Sequence, residues 1–66
     1  MKKITLNGQA RETAADDIAA LVAELGFAPG TVLVEHNGTA LRPAEWTAQI
    51  LHDGDRIELM RIAAGG

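Results

Sequence analysis

The chain has 66 residues, no cysteine, and nine acidic against six basic side chains, for a net charge of −3. Without cysteine there is no disulfide, thiolate metal site, iron–sulfur cluster or side-chain thiol chemistry. Scattered basic residues and only two aromatics, Phe27 and Trp46, argue against a nucleic-acid partner.

Length alone suggests one small domain. Met1-Lys2-Lys3 has the charge of a signal-peptide start, but the apolar residues behind it stop at Asn7-Gly8, so no export signal is expected. The longest apolar run, Ile18 to Ala23, is far short of the roughly 20 residues that span a bilayer. The expectation is a cytoplasmic protein with no membrane partner.

Lys3-Ile4-Thr5-Leu6 alternates with period two and runs into Asn7-Gly8, a strong hairpin signal because both centres of a type I′ turn need positive φ. A two-residue turn sets Gln9 opposite Leu6 and Arg11 opposite Ile4, polar groups on an apolar face. Either those long stems lie along the face or the loop is longer than two, and the register stays open.

Ile18, Leu21, Val22 and Leu25 follow the i, i+3, i+4, i+7 rule and predict a helix. Asp16 is expected as its N-cap, Asp17 as a complement to the dipole, and Gly26 at the left-handed position after its end. Pro29-Gly30 marks a turn before the strand Thr31 to Glu35. Asn37-Gly38 predicts a second hairpin, and here a two-residue turn faces Val34 with Leu41, apolar against apolar. After Arg42-Pro43, Trp46, Ile50 and Leu51 lie in a short, partly helical crossover from Ala44 to Leu51, and Asp53-Gly54-Asp55 forms a turn. The closing strand, Arg56 to Ile62, sends Ile57 and Leu59 to one side and Glu58, Met60 and Ile62 to the other.

The element order predicts an α+β layer arrangement, with a mixed sheet covered on one face by one main helix. Topology rules place the first and last strands side by side and parallel at its centre. The expected core takes the inward residues of each element, Ile50 included.

Few residues suit side-chain chemistry. Two aspartates in "DGD" can bind a hard cation or form an acid/base pair, but the further spaced acids of a calcium loop are missing and a turn is the better reading. His36 and His52 lack ligand spacing and read as surface or turn residues. Serine is absent, and no glycine-rich phosphate loop is present. Trp46 is expected to close the core beneath the crossover, its N–H finding a carbonyl. On the sheet face away from the helix, Leu33, Met60 and Ile62 make a candidate partner-binding patch.

The end of the chain, Ala63-Ala64-Gly65-Gly66, offers nothing to pack, and glycine loses more conformational freedom on ordering than any other residue. A domain of residues 1–62 followed by a flexible tail of residues 63–66 is expected. Without Cβ atoms, an extended Gly65-Gly66 can thread a narrow channel and set the Gly66 α-carboxylate beside a bound nucleotide. That carboxylate, ionised above a pKa of about 3.3 to 3.7, is a nucleophile toward a phosphorus neutralised by Mg²⁺.

The combination of "NG" hairpins, "RPAEW", "LHDGDRIELM" and terminal "AAGG" resembles the ThiS family, sulfur carriers of thiamine biosynthesis with a ubiquitin-like β-grasp fold. The likeness covers essentially the whole chain. The family more often places proline before arginine ahead of the acidic-Trp pair, whereas here Arg42 precedes Pro43.

The resemblance implies a protein cosubstrate with no catalytic residue and no bound cofactor or metal of its own. An E1-like, ThiF-like adenylyltransferase would use ATP and Mg²⁺ to convert the Gly66 carboxylate to an acyl adenylate, with Ala63, Ala64 and Gly65 threading into that partner. Sulfur from a cysteine desulfurase would then give a thiocarboxylate, and a ThiG-like thiazole synthase would receive the sulfur. The small subunit of molybdopterin synthase, which also ends in two glycines, and a ubiquitin-like interaction module with an incidental tail are the alternatives.

Overall fold

The computed structural model describes residues 1–62; the expected tail, Ala63 to Gly66, lies outside the described residues. Strand β1 (Lys2–Leu6) and strand β2 (Gln9–Thr13) form the first hairpin, followed by helix α1 (Ile18–Glu24) and a 3₁₀ turn at Pro29–Thr31. Strands β3 (Val32–His36) and β4 (Thr39–Leu41) form the second hairpin. A 3₁₀ helix, Pro43–Ala48, then leads to β5 (Arg56–Arg61).

The five strands make one sheet in the order β2-β1-β5-β3-β4. Strand β5 is central, parallel to β1 and antiparallel to β3, as the topology argument requires.

Both Asn-Gly turns are two-residue loops with left-handed backbone, Asn7 at φ 51° and Gly8 at 81°, Asn37 at 51° and Gly38 at 87°. The second hairpin has the expected register, Val34 opposite Leu41. The first resolves in favour of the tight turn, with Leu6 opposite Gln9 and Ile4 opposite Arg11. Arg11 is tolerated there because its guanidinium leaves the strand for the Glu24 carboxylate at the end of α1, 3.4 Å away. Its aliphatic stem can meanwhile cover apolar surface.

Helix α1 buries Ile18, Leu21 and Val22, with Leu25 partly buried behind them. The N-cap is Asp17 rather than the expected Asp16: the Asp17 carboxylate accepts from the Ala20 N–H at 2.8 Å. Asp16 is drawn instead to the Lys2 ammonium at 2.9 Å, whose hydrogen bond and charge hold its carboxyl below the ordinary range. Gly26 takes the left-handed position after the helix, as expected. The start of α1 is tied to the end of the crossover by Ile18 N–H donating to the Gln49 carbonyl and Leu51 N–H donating to that of Asp16.

Between sheet and helix lie Ile4, Val32, Val34, Leu41, Trp46, Leu51 and Ile57. Two expectations are corrected here. Ile50 is half exposed, because the residues after the 3₁₀ helix are extended, and neighbours in extended chain point opposite ways, so burying Leu51 turns Ile50 out. Trp46 is buried, yet its Nε1–H has no hydrogen-bond partner among the described residues, so the expected carbonyl does not serve it.

Candidate functional site

The expected site has two parts: the end of β5, from which the tail continues, and the sheet face turned away from α1. Strand β5 is held on both sides. Toward β3 its register runs from His36 opposite Ile57 to Val32 opposite Arg61. Beyond that, the Ile62 N–H donates to the Thr31 carbonyl at 2.8 Å.

Toward β1 the backbone ladder is short, Thr5 with Arg56 and Leu6 with Ile57. There the Asn7 side chain carries it further. Its Oδ1 accepts from Leu59 N–H at 2.7 Å and its Nδ2 donates to the Leu59 carbonyl at 3.1 Å, so one amide stands in for the next residue of a strand.

Asn37 acts in the same way at the other end of β5. The Arg56 N–H donates to its Oδ1 at 2.7 Å, and its own N–H donates to the Arg56 carbonyl at 2.8 Å. Each hairpin turn therefore grips the exit strand through an asparagine that also supplies the positive φ the turn needs.

The start of β5 rests on a polar cluster that sequence reasoning missed. Asp55 is 8% exposed and accepts three hydrogen bonds, from His36 Nε2 at 2.7 Å, the His52 N–H at 2.9 Å and Asn37 Nδ2 at 3.1 Å. Burial, the largest single influence, pushes the Asp55 carboxyl up. The hydrogen bonds from His36, His52 and Asn37, with the charge of His36, together hold it below its ordinary value. His36 is thus a half-buried clasp, with Nδ1 against the Gln49 side-chain oxygen at 3.2 Å, and not the surface histidine expected. His52 is exposed.

One signal for the cluster was present: Val32, Val34 and His36 share a face by alternation, which puts His36 on the core side. The "DGD" turn is a turn as read, stitched to β1 through Lys3 N–H to Asp53 Oδ1 and Gly54 N–H to the Lys3 carbonyl, both 2.7 Å. Among the described residues no three His, Asp or Glu side chains are placed to hold a metal ion, and no helix is long and apolar enough to cross a membrane.

On the outer face, Leu33 and Met60 stand directly opposite each other across β3 and β5, 56% and 66% exposed. Beside them a shallow groove of about 150 Å³ is lined by Leu33, Glu35, Ala40, Glu58 and Met60, with Val34 and Leu41. Ile62, beyond the end of β5, is half exposed and does not line the groove. On the opposite face the Arg61 guanidinium lies 5.7 Å from the centre of the Phe27 ring, a cation–π distance. The geometry thus joins Leu33 to Met60 and places Ile62 just past them. Ala63, Ala64, Gly65 and Gly66 lie outside the described residues.

The ThiS family pattern matches residues 4–66. The chain belongs to the ThiS family. Its fold is the ubiquitin-like β-grasp.

Two solved structures of a ThiS thiamine biosynthesis protein from Geobacter metallireducens are similar. A crystal structure is 29% identical with a TM-score of 0.80, covering 97% of this chain and 99% of that one. A solution structure is 28% identical with a TM-score of 0.78, covering 97% and 87%. A thiazole synthase from Magnetococcus marinus is 35% identical over 65 residues, which are 97% of this ThiS-family chain but 20% of that protein. The chain therefore spans about a fifth of the length of the curated relative it matches.

Proposed function

We propose that this chain carries sulfur as a thiocarboxylate on Gly66 and delivers it for thiazole formation in thiamine biosynthesis. The family match over residues 4–66, which reaches the Gly65-Gly66 pair, carries the reading. The similarity of nearly the whole chain to one fifth of a thiazole synthase supports a ThiG-like enzyme as the receiver, and thiamine over pterin synthesis as the destination.

In this reading a ThiF-like adenylyltransferase binds ATP and Mg²⁺, and this chain is its protein substrate. A Gly66 carboxylate oxygen attacks the α-phosphorus of ATP, a P–O bond forms, and pyrophosphate leaves. Sulfur originating from a cysteine desulfurase as a persulfide, released as hydrosulfide by a thiol reductant that ends as a disulfide, then attacks the acyl carbon. A C–S bond forms, the C–O bond breaks, and AMP departs with the electron pair. Adenylation is what makes the second step possible, because a bare carboxylate has no good leaving group. Ala63, Ala64 and Gly65 thread the partner's channel, and Leu33, Met60 and Ile62 dock against its surface.

Intact mass after incubation with the adenylyltransferase, ATP and a sulfur source tests this. The expected product has one oxygen replaced by sulfur, and a chain lacking Gly66 is left unchanged. Conjugation to a lysine instead, or full biological activity of the chain lacking Gly66, refutes it.

A further inference from the structure

Beside the apolar pair on the outer face the sheet holds an unfavourable one. Glu35 and Glu58 are directly opposite each other across β3 and β5, one step along from Val34–Leu59 and two from Leu33–Met60. Opposed residues in an antiparallel pair have Cβ atoms about 4.5 to 5.5 Å apart and point to the same face, and like charges there are destabilising. Both glutamates are exposed, and among the described residues neither is in an ion pair. Arg56 shares β5's outer face two residues before Glu58, yet its guanidinium lies over the Asn37-Gly38 turn, 3.5 Å from where a Cβ on Gly38 would sit. The acidic pair and the apolar pair line one groove, with Ala40, whose small side chain leaves it open.

From this juxtaposition we propose that the groove accepts a protein partner presenting an arginine beside an apolar side chain. The guanidinium bridges Glu35 and Glu58 beside Ala40, and the apolar group sits against Leu33 and Met60. Arginine suits the position better than lysine, since its planar fork offers donors to two carboxylates at once while a single ammonium is a point charge. The repulsion between the glutamates in the free domain is relieved on docking, so the acidic pair selects this partner over one with an uncharged or acidic rim. This rests on the carrier reading above and makes the adenylyltransferase the arginine-bearing partner.

The test is calorimetric titration of the purified adenylyltransferase with wild-type chain, E58Q, the double variant E35Q/E58Q, and E12Q as a control. Glu12 lies on β2 at the far edge of the sheet, so E12Q removes the same charge as E58Q away from the groove. The double variant is expected to bind about tenfold more weakly at low salt, with a shallower salt dependence, because rim charges act through steering and pairing. E12Q is expected to bind like wild type, and the melting temperature of the double variant to equal or exceed wild type.

Unchanged affinity of the double variant, equal losses for E58Q and E12Q, or a lower melting temperature for the double variant each overturns the arginine clamp. Pyrophosphate release from ATP on adding wild-type chain is measured in parallel. Its absence refutes the carrier reading, whereas its presence with unaltered variant affinities refutes only the clamp.

Discussion

The Asp55 cluster permits a worked prediction. Asp55→Asn keeps the shape of the side chain but leaves one acceptor where there were two. If the remaining oxygen stays at the Oδ2 position, it still receives His36 Nε2 and the His52 N–H, and the new amide nitrogen then faces Asn37 Nδ2, donor against donor. Rotating Asn37 offers no escape, since its Oδ1 is already taken by the Arg56 N–H. One buried hydrogen bond is lost, a donor is left unsatisfied, and two bonds lose their charge assistance, for a cost of about 2 to 3 kcal/mol. In a domain of this size each kcal/mol lowers the melting temperature by about 4 to 8 °C, so a drop on the order of 10 to 20 °C is expected.

Thermal unfolding followed by circular dichroism at pH 7 reads it. The pH dependence gives a second, independent check. A carboxyl held below its ordinary 3.8 in the folded state contributes stability that is present above that value and lost as pH falls through the folded pKa. The gap between wild type and Asp55→Asn therefore begins to narrow as pH drops below about 3.8 and closes once pH passes below the lowered folded value, where both carry a neutral group at position 55. A variant melting within about 2 °C of wild type at pH 7, or a gap that persists undiminished to pH 2, refutes the assignment of Asp55 as a charged anchor.

Two other perturbations address the exit strand and its outer face. Asn7→Gly keeps the positive φ the turn needs but deletes the amide that pairs with Leu59; a loss of about 1 to 2 kcal/mol is expected. Faster hydrogen exchange at the Leu59 N–H checks it, and unaltered protection there counts against the clamp. Met60→Asp weakens binding to the adenylyltransferase while leaving the melting temperature near wild type, because Met60 is 66% exposed; unchanged affinity in a titration removes the patch from the docking surface.

Local signals carried well where chemistry was local. The Asn-Gly pairs need no partner to announce a type I′ turn, and the period of Ile18, Leu21, Val22 and Leu25 is a property of the helix itself. The first hairpin was harder, because Arg11 opposite Ile4 looks wrong until Glu24 arrives from α1 to receive the guanidinium. The helix N-cap slipped by one for a similar reason: adjacent aspartates are equivalent in sequence, and only Lys2, brought alongside by β1, separates them. Ile50 and Leu51 were indistinguishable as apolar neighbours until the extended backbone turned one in and the other out.

The His36–Asp55 clasp joins residues nineteen positions apart, and its partners meet only once β3 and β5 lie side by side. The outer patch was legible from strand alternation alone, since Met60 had to face away from Ile57 and Leu59. Its acidic neighbour was not, because opposing Glu35 to Glu58 requires the register between two strands distant in sequence.

Strand β5 runs parallel to β1, so the beginning of one and the end of the other lie at opposite ends of the sheet. A tug on the chain beyond Ile62, resisted at the amino end, loads the contacts between these strands in shear and shares the force among them instead of peeling them apart one by one. The Asn7 side chain, bonded to both backbone groups of Leu59 on the β1 side of β5, adds a rivet along that same line. Traction on that end is thereby met along the strands and not across them.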